Sequence, residues 1–200
     1  MEYLILLLPV VGYHYLRAQE QRRRIVLLGN YLGKYQIEKL MQSVTDGYLR
    51  ALGEEDGQRR EQIWNLMDTA EQELCNQFTR FVEDFEKVWN GQTQVSTLRW
   101  DFLYADRVFP QATFDMRRVL AVHAQGIARV IENAPGLSRR DRAYTLSAEL
   151  FLMQHSCHWF CRSRAVASAR TLARHQTSYA QLIAAVSPET RAAYCKQTGC

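Results

Sequence analysis

Hydrophobic positions along this chain recur at steps of three and four, so the elements they imply are helices. Over residues 35–52 the apolar side chains are Tyr35, Ile37, Leu40, Met41, Val44, Tyr48, Leu49 and Leu52, the stripe of an amphipathic helix. Over residues 58–89 they are Ile63, Met67, Ala70, Leu74, Phe78, Phe81, Phe85 and Val88, widened by Trp64, Cys75, Val82 and Trp89. Alternating steps of four and three make a heptad-like seam, in which Gln77 is the one polar defect. A helix of that length reaches roughly 45–50 Å. It suits a long hairpin arm or a short coiled coil, paired within one chain or between copies in a homo-oligomer. Gly53 is placed to end the first of these helices and Asp56 to cap the second.

The punctuation continues downstream. Asn90-Gly91 and the polar run to residue 99 break the long helix. An aromatic stretch over 100–110 reads as a short helix or capping segment. Pro110 then opens a helix to about residue 133, with Phe114, Val119, Leu120, Val122, His123, Ile127, Val130 and Ile131 on its apolar side. Ser138 and Asp141 resemble a capping box. No Gly or Pro follows Gly136 until Pro188, which predicts two helices with a break near 162–168. Ser187-Pro188-Glu189 starts another short helix. No alternating strand pattern stands out. The expectation is an all-α fold, a bundle of five to seven helices with an apolar N-terminal helix.

That first helix raises a membrane question. Residues 3–16 read YLILLLPVVGYHYL, with no ionised side chain apart from titratable His14. A span needs about 20 apolar residues, so the run is short. Tyr13 and Tyr15 suit the headgroup level, and Arg17 can snorkel. The first charge is Glu2 and no small-x-small site follows, which is unlike a cleaved signal. Arg17, Arg22, Arg23 and Arg24 trail the run as a juxtamembrane basic cluster. The lipid-facing set would be Tyr3, Leu4, Ile5, Leu6, Leu7, Leu8, Val10 and Val11. The positive-inside bias would put the bundle on the cytoplasmic face of the inner membrane. The alternative is a buried first helix of a soluble cytoplasmic bundle. Residues 1–34 form the apolar and juxtamembrane helix in this division, and 35–200 the bundle domain.

Composition excludes little beyond disorder. Apolar residues make up 47% and charged residues 23%, close to globular averages. Net charge is +4, with an acidic middle at 51–100 and a basic segment at 151–200, which invites pairing between them. Arg162, Arg164, Arg170 and Arg174 form a basic stretch, but no aromatic interleaving or reading-head motif accompanies them, so nucleic acid is not the expected partner. Five cysteines at no framework spacing point to reduced thiols.

Candidate chemistry concentrates in the nearly all-apolar segment YTLSAELFLMQHSCHWFC at residues 144–161. His155, Cys157, His158 and Cys161 lie there, the last three within about 100° of helix circumference. Imidazole and thiolate at such offsets can share a zinc or copper ion. Against this, all four crowd one helix with no second pair to complete a shell, and free Cys is a common core residue. Glu149 is the only acid in this helix and needs a partner if buried, for which an Arg from another helix is the natural choice. Phosphate-loop, dinucleotide, zincin, hydrolase-elbow and di-iron motifs are absent. The leading reading is a membrane-tethered helical interaction or scaffold protein with a membrane surface and a protein as partners. Its rivals are a soluble metal- or redox-responsive protein built on the His/Cys cluster, and an enzyme whose site joins His123, Glu149 and His158.

Overall fold

A computed structural model describes residues 2–98 and 108–200, with side chains from Pro9 onward. Most of the 100–110 segment, and the side chains of Tyr3, Leu4, Ile5, Leu6, Leu7 and Leu8, lie outside the described residues. The fold is all-α. The helices are α1 (Glu2–Leu32), α2 (Ile37–Gly53), α3 (Gly57–Glu86), α4 (Met116–Ile131), α5 (Arg139–Cys161), α6 (Arg164–His175), α7 (Tyr179–Ala185) and α8 (Pro188–Thr198). Among the described residues the eight helices exceed the expected five to seven because the stretch after Ser138 breaks twice. The first break, at Arg162-Ser163, matches the expected place. The second turns on Gln176, which adopts φ +50°, and is followed by a capping box in which Ser178 and Gln181 bond each other's backbone N–H. The Ser-x-x-Gln spacing carried that signal without any Gly or Pro.

Two three-residue strands were not expected. β1 (Gln94–Ser96) pairs antiparallel with β2 (Thr113–Asp115), Val95 opposite Phe114. Strands this short offer too few positions for alternation to register. Both inward residues are buried, and the Trp159 indole N–H donates to the Ser96 carbonyl at 3.2 Å. Asp115 caps α4, accepting from the Arg117 backbone N–H at 3.0 Å. The Arg117 guanidinium also reaches the Val88 carbonyl and Asn90, tying the end of α3 to the start of α4.

Helix α3 fills its apolar seam within the chain, packing mainly on α2 and α4. The polar defect has a purpose: the Gln77 side-chain oxygen accepts the Gln36 backbone N–H at 2.7 Å, at the N-terminus of α2. Phe78, Phe81 and Phe85 stack in sequence along α3, with ring centroids 5.7 and 5.8 Å apart. Tyr31 of α1 and Phe160 of α5 meet Phe85 edge-on at 5.4 and 6.1 Å. This aromatic spine joins three helices, each ring pair adding about 0.5–1.5 kcal/mol beyond its burial.

Helix α5 is the centre. It packs on α1, α2, α4, α6 and α7. Near its start Arg142 pairs with Asp68 and with buried Glu71, 3.1 Å away, while the Tyr48 hydroxyl donates to Glu71 at 2.6 Å. Glu61, Asp68 and Glu71 of α3 therefore find their long-range partners in Arg139 and Arg142, and Asp84 finds Lys34. Arg162, Arg164, Arg170 and Arg174, which the charge pattern paired with them, form no ion pair with them among the described residues. The buried acid of α5, Glu149, has no arginine partner either. Its Oε1 accepts from the Ser187 backbone N–H at 3.1 Å and hydroxyl at 2.8 Å, at the start of α8.

Cys195 and Cys200 are joined by a disulfide, against the expectation of reduced thiols throughout. Gly199, at φ +71°, turns the chain at the end of α8 and brings the two Cα atoms to 4.8 Å. Cys75, Cys157 and Cys161 are free.

Gly126 sits in the middle of α4 where Ala would normally be the better helix former. A Cβ there would run into Thr190 Oγ1 and Glu149 Oε2. Gly126→Ala should therefore destabilise the protein by roughly 1–2 kcal/mol, the crowding outweighing a propensity gain of about 1 kcal/mol. A higher urea midpoint in the variant would contradict this packing.

Candidate functional site

Three regions carry candidate chemistry, and the central helix links them. The first is the His/Cys cluster. His155 is buried, stacked on the Tyr179 ring at 4.4 Å, with Nε2 3.1 Å from the Ser168 hydroxyl. Cys157 is buried with its sulfur 4.0 Å from that of Met153. Cys161 is half-buried beside the charges of Arg24, Arg162 and Arg170, yet burial still pushes its thiol up to about 11. Burial raises the Cys157 thiol further. Thiolate is the form that binds metal or attacks a disulfide, and both sulfurs are held in the other form. His158 opens onto a different surface. The four residues divide among separate surroundings, and among the described residues no three His, Cys, Asp or Glu side chains are grouped to hold a metal ion.

The second region is a buried polar network. The Ser156 hydroxyl lies 3.0 Å from the Leu152 carbonyl, to which it donates. His123 Nε2 lies 2.9 Å away and the Tyr194 hydroxyl 3.3 Å away. His123 Nδ1 is buried without a hydrogen-bond partner among the described residues. Burial lowers this histidine to about 3, with His155 adding to the effect. Glu149 belongs elsewhere, to Ser187 and Thr190, and burial raises its pKa. His123, Glu149 and His158 therefore serve three different places. An enzyme site joining them, one of the readings open from sequence, is not what the fold builds.

The third region is on the surface, where α5 meets α6. Gln154 and His158 of α5, with Arg170, Thr171, Ala173 and Arg174 of α6, line an open hollow of about 460 Å³. In the sequence Arg170 and Arg174 belong with Arg162 and Arg164 to a basic stretch that carries no aromatic interleaving and no reading-head motif. In the fold they separate: Arg162 donates to Gln21 at 2.6 Å, Arg164 lies over the Trp159 ring, and the remaining pair, four residues apart, shares the hollow with a histidine.

Along α1 the residues divide by face. Leu28 is buried, and Leu27, Tyr31 and Leu32 pack on the core. Arg24 turns inward, bonding Glu20 at 3.1 Å and reaching the Phe160 carbonyl at the end of α5. It therefore leaves the expected juxtamembrane cluster. Arg17 is half-buried, whereas Arg22 and Arg23 are exposed. Val10, Val11, Tyr15, Leu16, Ile25 and Val26 remain uncovered, Val11 at 63% and Tyr15 at 69%. Among the described residues no helix is long and apolar enough to cross a membrane.

Burial holds His155 at about 4, below the ordinary 6.5, with His158 and Arg164 adding to the effect. The folded state therefore favours the neutral ring. Its contribution to stability is intact above about pH 6.5 and is lost as pH falls towards 4. Subtracting the unfolding curve of a His155→Asn variant from that of the native chain isolates this group from Glu149 and Glu71, whose raised pKa values act with opposite sign. The difference should fall by about 1.4 kcal/mol per pH unit across that window. A flat difference would show the ring to be open to protonation.

No protein-family model, curated protein or solved structure matches the chain.

Proposed function

We propose that the protein is a membrane-associated helical scaffold, seated on an anionic lipid surface through α1 with its bundle on the cytoplasmic side. The observation that carries this is the set of uncovered apolar side chains on α1, namely Val10, Val11, Tyr15, Leu16, Ile25 and Val26, on a helix whose C-terminal half packs on the bundle. Single exposed apolar residues are ordinary, but six on one helix amount to a surface. Arg22 and Arg23 project among them. Alternating apolar anchors and exposed guanidinium groups match the boundary between acyl chains and anionic headgroups.

The shape of α1 favours a seat in the interface over a crossing. Val11, Tyr15, Ile25 and Val26 share one face, within about 100° of helix circumference, and Arg17, Glu20, Arg22 and Arg23 interrupt the helix before residue 24. A helix of this kind lies along the surface with its greasy side sunk into one leaflet. The scaffold part of the reading rests on the bundle, whose buried histidines and carboxylates are each committed to internal partners. The work left for the bundle is to present its outer surface to a protein partner.

Vesicle flotation of the full chain tests the reading. It should float with vesicles containing anionic phospholipid and far less with zwitterionic ones. Val11→Asp with Tyr15→Asp should weaken binding at least tenfold while leaving the helical spectrum intact, since both positions are exposed. Arg22→Ser with Arg23→Ser should cost about 1 kcal/mol per charge on anionic vesicles only. Equal flotation of native chain and Asp variant, or none of either, would falsify the assignment.

A further inference from the structure

The hollow between α5 and α6 has the charge and donors of an oxyanion site. Two short links hold the helices on either side of it: the Gln154 amide oxygen lies 2.9 Å from His175 Nε2, and His155 meets Ser168. His175 is fixed in turn by stacking on Phe151, centroids 3.7 Å apart. Within this frame Arg170 and Arg174 stand one turn apart on α6. Neither pairs with a carboxylate among the described residues. They are exposed, and their region is starved of acids: over residues 151–200 there are six basic side chains and a single acid, Glu189. That acid is engaged with Arg129 at 3.8 Å. His158 completes the set from α5, its Nδ1 buried with no hydrogen-bond partner among the described residues.

We propose that this hollow binds a phosphate monoester, carried by a small soluble molecule or by a lipid headgroup. Two guanidinium forks present planar pairs of N–H donors, which match phosphate oxygens in geometry as well as charge. A phosphate monoester bears about −1.5 to −2 charge near neutral pH, which two arginines and a titrating imidazole can balance. The Gln154 amide and the buried Thr171 supply uncharged polar groups to the lining. The volume exceeds that of the phosphate itself and leaves room for a glycerol- or sugar-sized attachment.

His158 reports occupancy. Burial and the charges of Arg170, Arg174 and His175 hold its pKa below the usual value. His155, on the preceding turn of α5, is itself held neutral, and Cys161 on the next turn is a protonated thiol. An anion between the arginines reverses the largest charge effects and lets the ring take up a proton. Bound phosphate and a raised His158 pKa are therefore linked, and each favours the other.

The proposal stands on the hollow and not on α1, and the experiment keeps the two apart. Inorganic phosphate and glycerol 3-phosphate are titrated into the full-length labelled chain at constant ionic strength, with chloride as the control, and followed by NMR. Saturable shifts are expected at His158, Arg170 and Thr171, together with a rise of about one unit in the His158 pKa, a tenfold linkage. Arg170→Gln with Arg174→Gln should abolish saturation. The substitutions are at exposed positions, and an unchanged helical spectrum checks the fold. Arg174→Lys, which keeps the charge and loses the fork, should retain only weak binding. Vesicles doped with phosphatidic acid then distinguish the sources: a His158 response there assigns the lipid headgroup, and a response to the soluble monoesters alone assigns a small molecule. The Val11→Asp and Tyr15→Asp variant should keep the phosphate response even where it no longer floats. A linear drift indistinguishable from chloride, or full binding by the double Gln variant, would overturn the site while leaving the membrane reading standing.

Discussion

A polar atom that folding buries needs a partner, and most of helix α5 is covered by protein. The rest of the bundle is arranged to answer its polar side chains, although Glu149 Oε2 and the Nδ1 atoms of His155 and His158 stay without a partner among the described residues. Arg142 needs Asp68 and Glu71 of α3. Glu149 needs the turn at Ser187. Ser156 needs His123 of α4 and Tyr194 of α8. His155 needs Ser168, and Trp159 needs a strand carbonyl. Hydrophobic burial supplies most of the drive to fold, but it is indifferent to register. These directed contacts set the rotation and translation of each surrounding helix, because an unpaired buried polar group costs about 1–3 kcal/mol.

The aromatic spine along α3 complements that arrangement. Phe78, Phe81 and Phe85 give α3 a stiff inner face, and Tyr31 and Phe160 clamp it from α1 and α5. The ladder explains how one face of α1 can be held firmly while its other face stays apolar and open. The N-terminal half of α1 borrows its direction from contacts made further along, at Gln21, Arg24 and Leu28.

The helices were legible in the sequence wherever periodicity or capping wrote them down. Asp56 before α3, Ser138 before α5 and Pro188 opening α8 each stand at the start their chemistry implied. What failed to appear were elements too short for a period, such as the strand pair, and a break at Gln176 marked by a Ser-x-x-Gln capping box instead of Gly or Pro. Sites were harder. The spacing of His155, Cys157, His158 and Cys161 placed them on neighbouring faces of one helix, yet spacing cannot say which neighbour each face will meet. Glu149 was correctly singled out as needing company, but a serine turn about forty residues away answered it. The basic hollow was hidden for the same reason: Arg170 and Arg174 look like half of a scattered run until α6 folds back and sets His158 beside them.

The segment after residue 186 supplies Ser187, Thr190 and Tyr194, all buried and all bonded to groups on or around α5. During synthesis, every other helix is therefore available before the centre can be completed. An emerging chain can pair α2 with α3 early, but α5 must wait with Glu149 unanswered. The last helix is thus part of the interior and not an appendage: without the residues from Ser187 onward, the centre of the bundle keeps a buried carboxylate with no partner even while its other helices are intact.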